Sequence, residues 1–128
     1  MVSRIAFLGP AGTYGEQATR ALMALESMQS SELVACAGLR SVVEHVAHGH
    51  CDAAVVPVEN SVEGGVTAIL DSLWMHRELC IRRALVLPIR HALLGDGSLD
   101  GITEVLSHPQ ALAQCSAWLA QHLPQALQ

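Results

Sequence analysis

Glu59-Asn60-Ser61 sets a carboxylate, an amide and a hydroxyl side by side, just after the apolar run Ala53-Ala54-Val55-Val56-Pro57-Val58 and ahead of Gly64-Gly65. A connecting turn needs only residues such as Gly, Pro, Asp and Ser to meet its geometry, so three different hydrogen-bonding groups exceed that need. Pro57 fixes φ at the strand end. A buried strand that breaks into concentrated polar chemistry before a helix is how open α/β sheets build ligand sites. Asn60 and Ser61 are uncharged hydrogen-bonding groups beside the Glu59 carboxylate. Glu59 orients a neighbour, or serves as an acid only where its surroundings raise its pKa.

Two further segments concentrate polar chemistry in the same way. In Gly9-Pro10-Ala11-Gly12-Thr13-Tyr14-Gly15-Glu16 the Thr13 hydroxyl is placed to cap a helix, and Glu16, three residues on, to complete a capping box. The glycines allow a ligand close to the backbone. Their G-x-x-G-x-x-G spacing is not the G-x-G-x-x-G of dinucleotide sites. In Ser107-His108-Pro109-Gln110, Ser107 is the N-cap expected from residue type, with Pro109 in the first turn. Each segment taken alone also reads as an ordinary helix start. Together they offer helix N-termini, which attract carboxylates and phosphates through free N–H groups and the helix dipole.

Composition narrows the chemistry. All seven basic residues are arginines and the chain has no lysine, which excludes a Walker P-loop and Schiff-base catalysis. The arginines are scattered and the net charge is −5, so there is no footprint for nucleic acid or an anionic membrane. No apolar run approaches the ~18 residues of a membrane span, and the apolar stretch near the N-terminus is too short for a signal-peptide core, so a cytoplasmic location is expected. Cys36, Cys51, Cys80 and Cys115 form no C-x-x-C pair and read as free thiols rather than a disulfide framework. Glu44-His45-x-x-His48-x-His50-Cys51-Asp52 has spacing that can bind a transition metal, but as the polar end of a short helix it reads better as a solvated surface. Of His76, His91, His108 and His122, only His108 falls at a suspected site. No metal and no organic cofactor are expected.

The elements that must position these residues follow from periodicity. Apolar runs predict strands at 5–8, 33–37 and 53–58; helical spacing predicts helices over 14–28, 41–48 and 66–76. In the first helix Ala18, Ala21, Leu22 and Leu25 share a face, and in the second Val42, Val43 and Val46 do. This βαβαβα rhythm predicts an α/β fold with a parallel sheet. The core is aliphatic, for 51% of residues are hydrophobic and only 3% aromatic. Beyond residue 79 the rhythm changes: strands are expected at 79–87, 90–94 and 103–106, around Pro88, and a helix over 109–123. A first lobe over 1–76 and a partial second lobe over 77–128 result, and a second lobe this small reads as incomplete.

Gly9-Pro10-Ala11-Gly12-Thr13-Tyr14, Val56-Pro57-Val58-Glu59-Asn60-Ser61-x-x-Gly64-x-Val66, His91-x-Leu93-Leu94 and Ser107-His108-Pro109-Gln110-Ala111-Leu112-x-Gln114-Cys115 together resemble prephenate dehydratase, in the family's order and spacing. The resemblance implies a bilobal fold similar to type II periplasmic binding proteins, with the site in the cleft. It implies decarboxylative dehydration of prephenate to phenylpyruvate in phenylalanine biosynthesis, without metal or organic cofactor. Glu59, Asn60 and Ser61 are then the catalytic candidates; Gly12, Thr13, Tyr14, Ser107, His108 and Gln110 are the substrate-binding ones. The intact enzyme is expected to self-associate.

Two departures stand beside the match. Gly15 takes the place of a serine usual in the family, removing a hydroxyl. The family's Thr-Arg-Phe tripeptide, to which the resemblance assigns the catalytic threonine and a carboxylate-binding arginine, is not in this sequence, nor is a phenylalanine-sensing ACT domain. The chain therefore reads as the N-terminal part of a catalytic domain, weak or inactive alone. The competing readings are a small-anion-binding or regulatory module that has lost the chemistry, and a metal-binding protein using His45, His48 and His50.

Overall fold

The computed structural model describes residues 3–60 and 64–128. Strand β1 (Arg4–Leu8), helix α1 (Tyr14–Leu25), β2 (Glu32–Cys36), α2 (Leu39–Ala47) and β3 (Ala53–Val55) follow the expected alternation. Short strands β4 (Glu59–Asn60) and β5 (Gly64–Gly65) precede α3 (Thr67–Met75). β1 lies in the centre of a parallel sheet of order β2-β1-β3, with Ile5 opposite Leu33 on one side and Ala53 on the other. The chain steps outward to β2 and then back across β1 to β3. Right-handed crossovers in opposite directions put α1 and α2 on opposite faces.

Alternation along β1 serves both faces at once. Ala6 is fully buried with Cys36, Val42 and Cys51, flanked by Leu8, Val34, Val46, Ala54 and Val56. Ile5 and Phe7 point the other way and are equally buried. On α1, which packs on β1, the buried residues are Thr19 and Met23. The face predicted from Ala18, Ala21, Leu22 and Leu25 is thus off-centre, and Leu25 is 58% exposed. Thr19 tolerates full burial because its hydroxyl donates to the Gly15 carbonyl one turn back, at 2.7 Å. On α2, Val42 and Val43 are buried as expected.

β3 is shorter than the predicted 53–58. Pro57 has no N–H to give to a ladder, and the chain beyond it leaves the main sheet. Glu59 and Asn60 instead pair antiparallel with Gly65 and Gly64, and the Val66 N–H donates to the Val58 carbonyl at 2.9 Å.

Two compact units divide between Leu87 and Pro88. Residues 77–87 run with the first unit, where the Arg83 guanidinium pairs with Glu26 at the end of α1. The strands predicted at 79–87 and 90–94 do not form. A strand exists only as a member of a pair, and no second strand lies beside either segment among the described residues. The expected strand at 103–106 reduces to one parallel bridge between Glu104 and Leu127. The second unit is built on a single helical turn (Leu99–Gly101) and α4 (Pro109–His122), and its core is Val105, Leu119 and Leu123, packed by Ile102, Leu112, Cys115 and Ala126. All four cysteines are free: Cys36 and Cys51 buried, Cys115 half-buried, Cys80 exposed.

Candidate functional site

The β1–α1 junction is the most completely defined of the candidate segments. Thr13 is the N-cap of α1, its backbone extended (φ −89°, ψ 165°) and its hydroxyl accepting the Glu16 N–H at 3.4 Å. The same hydroxyl donates to the Pro10 carbonyl at 3.0 Å, so its single proton holds the loop in shape. Glu16 completes the reciprocal arrangement one residue earlier than the standard capping box: its carboxylate accepts the Gly12 N–H at 2.7 Å and pairs with Arg20 at 2.6 Å. Those hydrogen bonds, the Gly12 N–H first and Arg20 second, hold the Glu16 carboxyl below the ordinary carboxylate range. Gly12 has φ +85°, a left-handed conformation that favours glycine, although a side chain there would meet nothing within 4 Å. Tyr14 opens α1 and is partly exposed.

Asn60 and Glu59 sit on β4, beyond the C-terminal end of β3. Asn60 is half-buried and Glu59 exposed. Ser61 lies outside the described residues. Because β1 and β3 are adjacent and parallel, with Phe7 opposite Val55, the Gly12–Tyr14 and Glu59–Asn60 segments leave the same edge of the sheet from neighbouring strands. α1 packs against β1, while α3 packs with α2, so the two connections go to opposite faces. This is a topological switch point, where open α/β sheets bind ligands. A shallow depression of about 400 Å³ lies beside the ends of β1 and β2, lined by Gly9, Pro10, Ala35, Cys36 and Ala37. It contains no charged side chain and is not the candidate site.

In the second unit the N-cap of α4 is His108, not Ser107. The His108 Nδ1 accepts the Gln110 N–H at 3.2 Å, which leaves the ring proton on Nε2, and Pro109 is the first helical residue. The preference of Pro for the first helical position was a usable signal, since it points to the residue immediately before it. Ser107 and His108 are exposed and Gln110 is half-buried. A contact between side chains distant in sequence was not legible: the His91 Nε2 donates to the Gln114 Oε1 at 2.6 Å.

The histidine-rich segment forms a chain of rings rather than a ligand cage. His45 and His48 both meet His50 edge to face at 5.8 and 6.1 Å, and His48 meets His76 at 6.2 Å. Among the described residues, no group of three or more His, Cys, Asp or Glu side chains converges to hold a metal ion. No helix is long and apolar enough to cross a membrane among those residues.

A parallel sheet with one side-chain-capped loop and a second, glycine-bearing connection at a switch point defines an α/β domain of the small-ligand class. Residues 5–128 match the family model described as prephenate dehydratase. The chain is 45% identical to the prephenate dehydratase of Amycolatopsis methanolica over 125 residues, 98% of this chain and 40% of that protein. It is 37% identical to the Lactococcus lactis prephenate dehydratase, covering 96% of this chain and 42% of that one. A solved prephenate dehydratase from Arthrobacter aurescens, in complex with L-Phe, superposes with a TM-score of 0.74 at 39% identity, covering 96% of this chain and 40% of that one. The chain belongs to the prephenate dehydratase family, whose fold is periplasmic-binding-protein-like. It spans about 40% of the length of these relatives.

Proposed function

We propose that this chain contributes to decarboxylative dehydration of prephenate to phenylpyruvate, supplying part of the catalytic domain. The observation that carries the reading is the family match across residues 5–128. The convergence of the Gly12–Tyr14 and Glu59–Asn60 segments on one sheet edge supports it. The reading divides the chain into a first α/β lobe over 1–76 and a partial second lobe over 77–128, whereas the compact units divide between Leu87 and Pro88.

In the reaction the bond from the ring to its carboxylate breaks, and its electron pair flows into the ring as carbon dioxide departs. The ring carbon–oxygen bond breaks at the same time, and the leaving hydroxyl takes up a proton to become water. Aromatisation drives the step. The protein must help the hydroxyl leave without holding the departing carboxylate so firmly that the barrier rises. Asn60 and Ser61 are the uncharged donors proposed for the reacting end, with Glu59 organising them from its exposed place on β4. Gly12, Thr13, Tyr14, Ser107, His108 and Gln110 are the proposed substrate-binding residues. The Thr13 hydroxyl, already donating to Pro10, acts mainly by shaping the backbone that faces the ligand.

The test is an assay of phenylpyruvate formation from prephenate, run on the 128-residue chain and on any longer product of the same gene. Turnover in the active species should fall by about 10²-fold in Asn60→Ala, as for a single preorganised donor. Unchanged kinetics would remove Asn60 from the catalytic set. Prephenate binding with no turnover in any form would favour a non-catalytic anion-binding module instead.

A further inference from the structure

We propose that His91 is a positioning residue that acts through Gln114 to fix how the first turn of α4 presents His108 and Gln110; the inference rests on the substrate-binding role proposed for that turn. Gln114 lies four residues after Gln110, so the two share a helical face, and both are half-buried. The far half of α4 is the more deeply packed: Leu119 and Leu123 are in the core with Val105, while Leu112 and Cys115 nearer its start are only partly buried against it. Hydrogen bonds from Val105 N–H to the Leu127 carbonyl (2.8 Å) and from Leu127 N–H to the Thr103 carbonyl (3.0 Å) close that end. Apolar packing is non-directional and leaves a helix some freedom to turn about its axis.

The near half of α4 has a directional tie. At 2.6 Å, the His91 ring N–H meets the Gln114 amide oxygen, reaching across 23 residues of sequence. Because the amide oxygen can only accept, the ring must carry its proton on Nε2. The bond acts one turn, about 5.4 Å, below the candidate binding turn. Rotation of α4 at Gln114 would carry the N-cap and Gln110 with it. His91 itself sits in the segment after Pro88 that has no regular secondary structure, so the bond ties it to α4 where no ladder does.

The test compares His91→Ala, Gln114→Met, their combination and Gln114→Glu, which keeps an acceptor oxygen. Amide hydrogen exchange on the 128-residue chain reads the anchoring without any activity. His91→Ala and Gln114→Met should each speed exchange at the Gln110 and Leu112 amides by about three- to tenfold, the effect of one hydrogen bond. The double variant should add nothing further, Gln114→Glu should retain protection, and the Leu119 and Leu123 amides should be unchanged. Acceleration spread evenly along α4, or additive effects of the two substitutions, would overturn the inference. In a catalytically active longer product, kcat/KM should fall by the same factor in the same non-additive pattern. Absence of turnover in the unmodified protein would sink the functional reading, while the exchange data still decide the role of His91.

Discussion

Gly15 shows how a single position balances chemistry against space. The resemblance implies a serine here, and Gly15 removes its hydroxyl. Yet a Cβ built on Gly15 would come within 3.0 Å of the Leu8 carbonyl oxygen, at the end of the central strand. That oxygen belongs to backbone and cannot swing aside, so Gly15→Ser requires the junction to give by a few tenths of an ångström. We expect the substitution to cost about 1 kcal/mol, after the gain in helix propensity, as read by urea unfolding. Equal or greater stability would mean that the junction yields easily. Cysteine chemistry follows burial in the same residue-by-residue way. Burial pushes the Cys51 thiol above its ordinary range, and Cys36 is buried with it, whereas Cys80 is exposed. In native buffer at pH 8 a thiol reagent should label Cys80 first and leave Cys36 and Cys51 unmodified until denaturant is added. Early modification of Cys51, located by mass spectrometry, would contradict the packing of the core.

At the scale of elements, the entrance to α1 depends on a carboxylate that must be ionised. The Glu16 carboxyl is held below the ordinary range by the Gly12 N–H and Arg20. A lowered folded-state value contributes stability that is complete above the unfolded value, near 4.5, and is lost as pH falls through the folded one. Glu16→Gln should therefore be less stable than the parent at pH 7, with the difference shrinking as pH falls below about 4.5 through the folded-state value. A difference independent of pH would show that the carboxylate charge is not what holds the loop. This cap was legible in advance because Thr13 and Glu16 have a local spacing that only a helix start explains. Residue type alone puts the α4 cap at Ser107, one residue before the observed His108, because serine caps more strongly, while Pro109 at the first helical position points to its immediate neighbour. β3 ended early for a reason already written in the chain, since Pro57 cannot extend a ladder.

For the whole molecule, legibility divides along the line between local and distant interactions. The alternation through α3 could be read from apolar spacing because each parallel strand is followed by its own covering helix. The segments at 79–87 and 90–94 have strand-like composition, but composition cannot supply a pairing partner. The His91–Gln114 contact was equally invisible, because no local pattern links residues 23 apart. The same contrast predicts where the chain opens first. From residue 80 to 98 nearly every side chain is exposed and no ladder or helix protects the backbone, so local opening should be easy there. Arg82, Arg83 and Arg90 lie in this stretch, and Arg77 just before it, whereas Arg4, Arg20 and Arg40 belong to β1, α1 and α2. Limited trypsin digestion should cut first after Arg77, Arg82 or Arg90. Arg83, paired with Glu26, should resist longer than its neighbour Arg82. The N-terminal product should keep its parallel sheet and remain intact under conditions that consume the rest of the chain. First cleavage after Arg20 or Arg40 would mean that the β2-β1-β3 sheet is not the most stable part of the molecule.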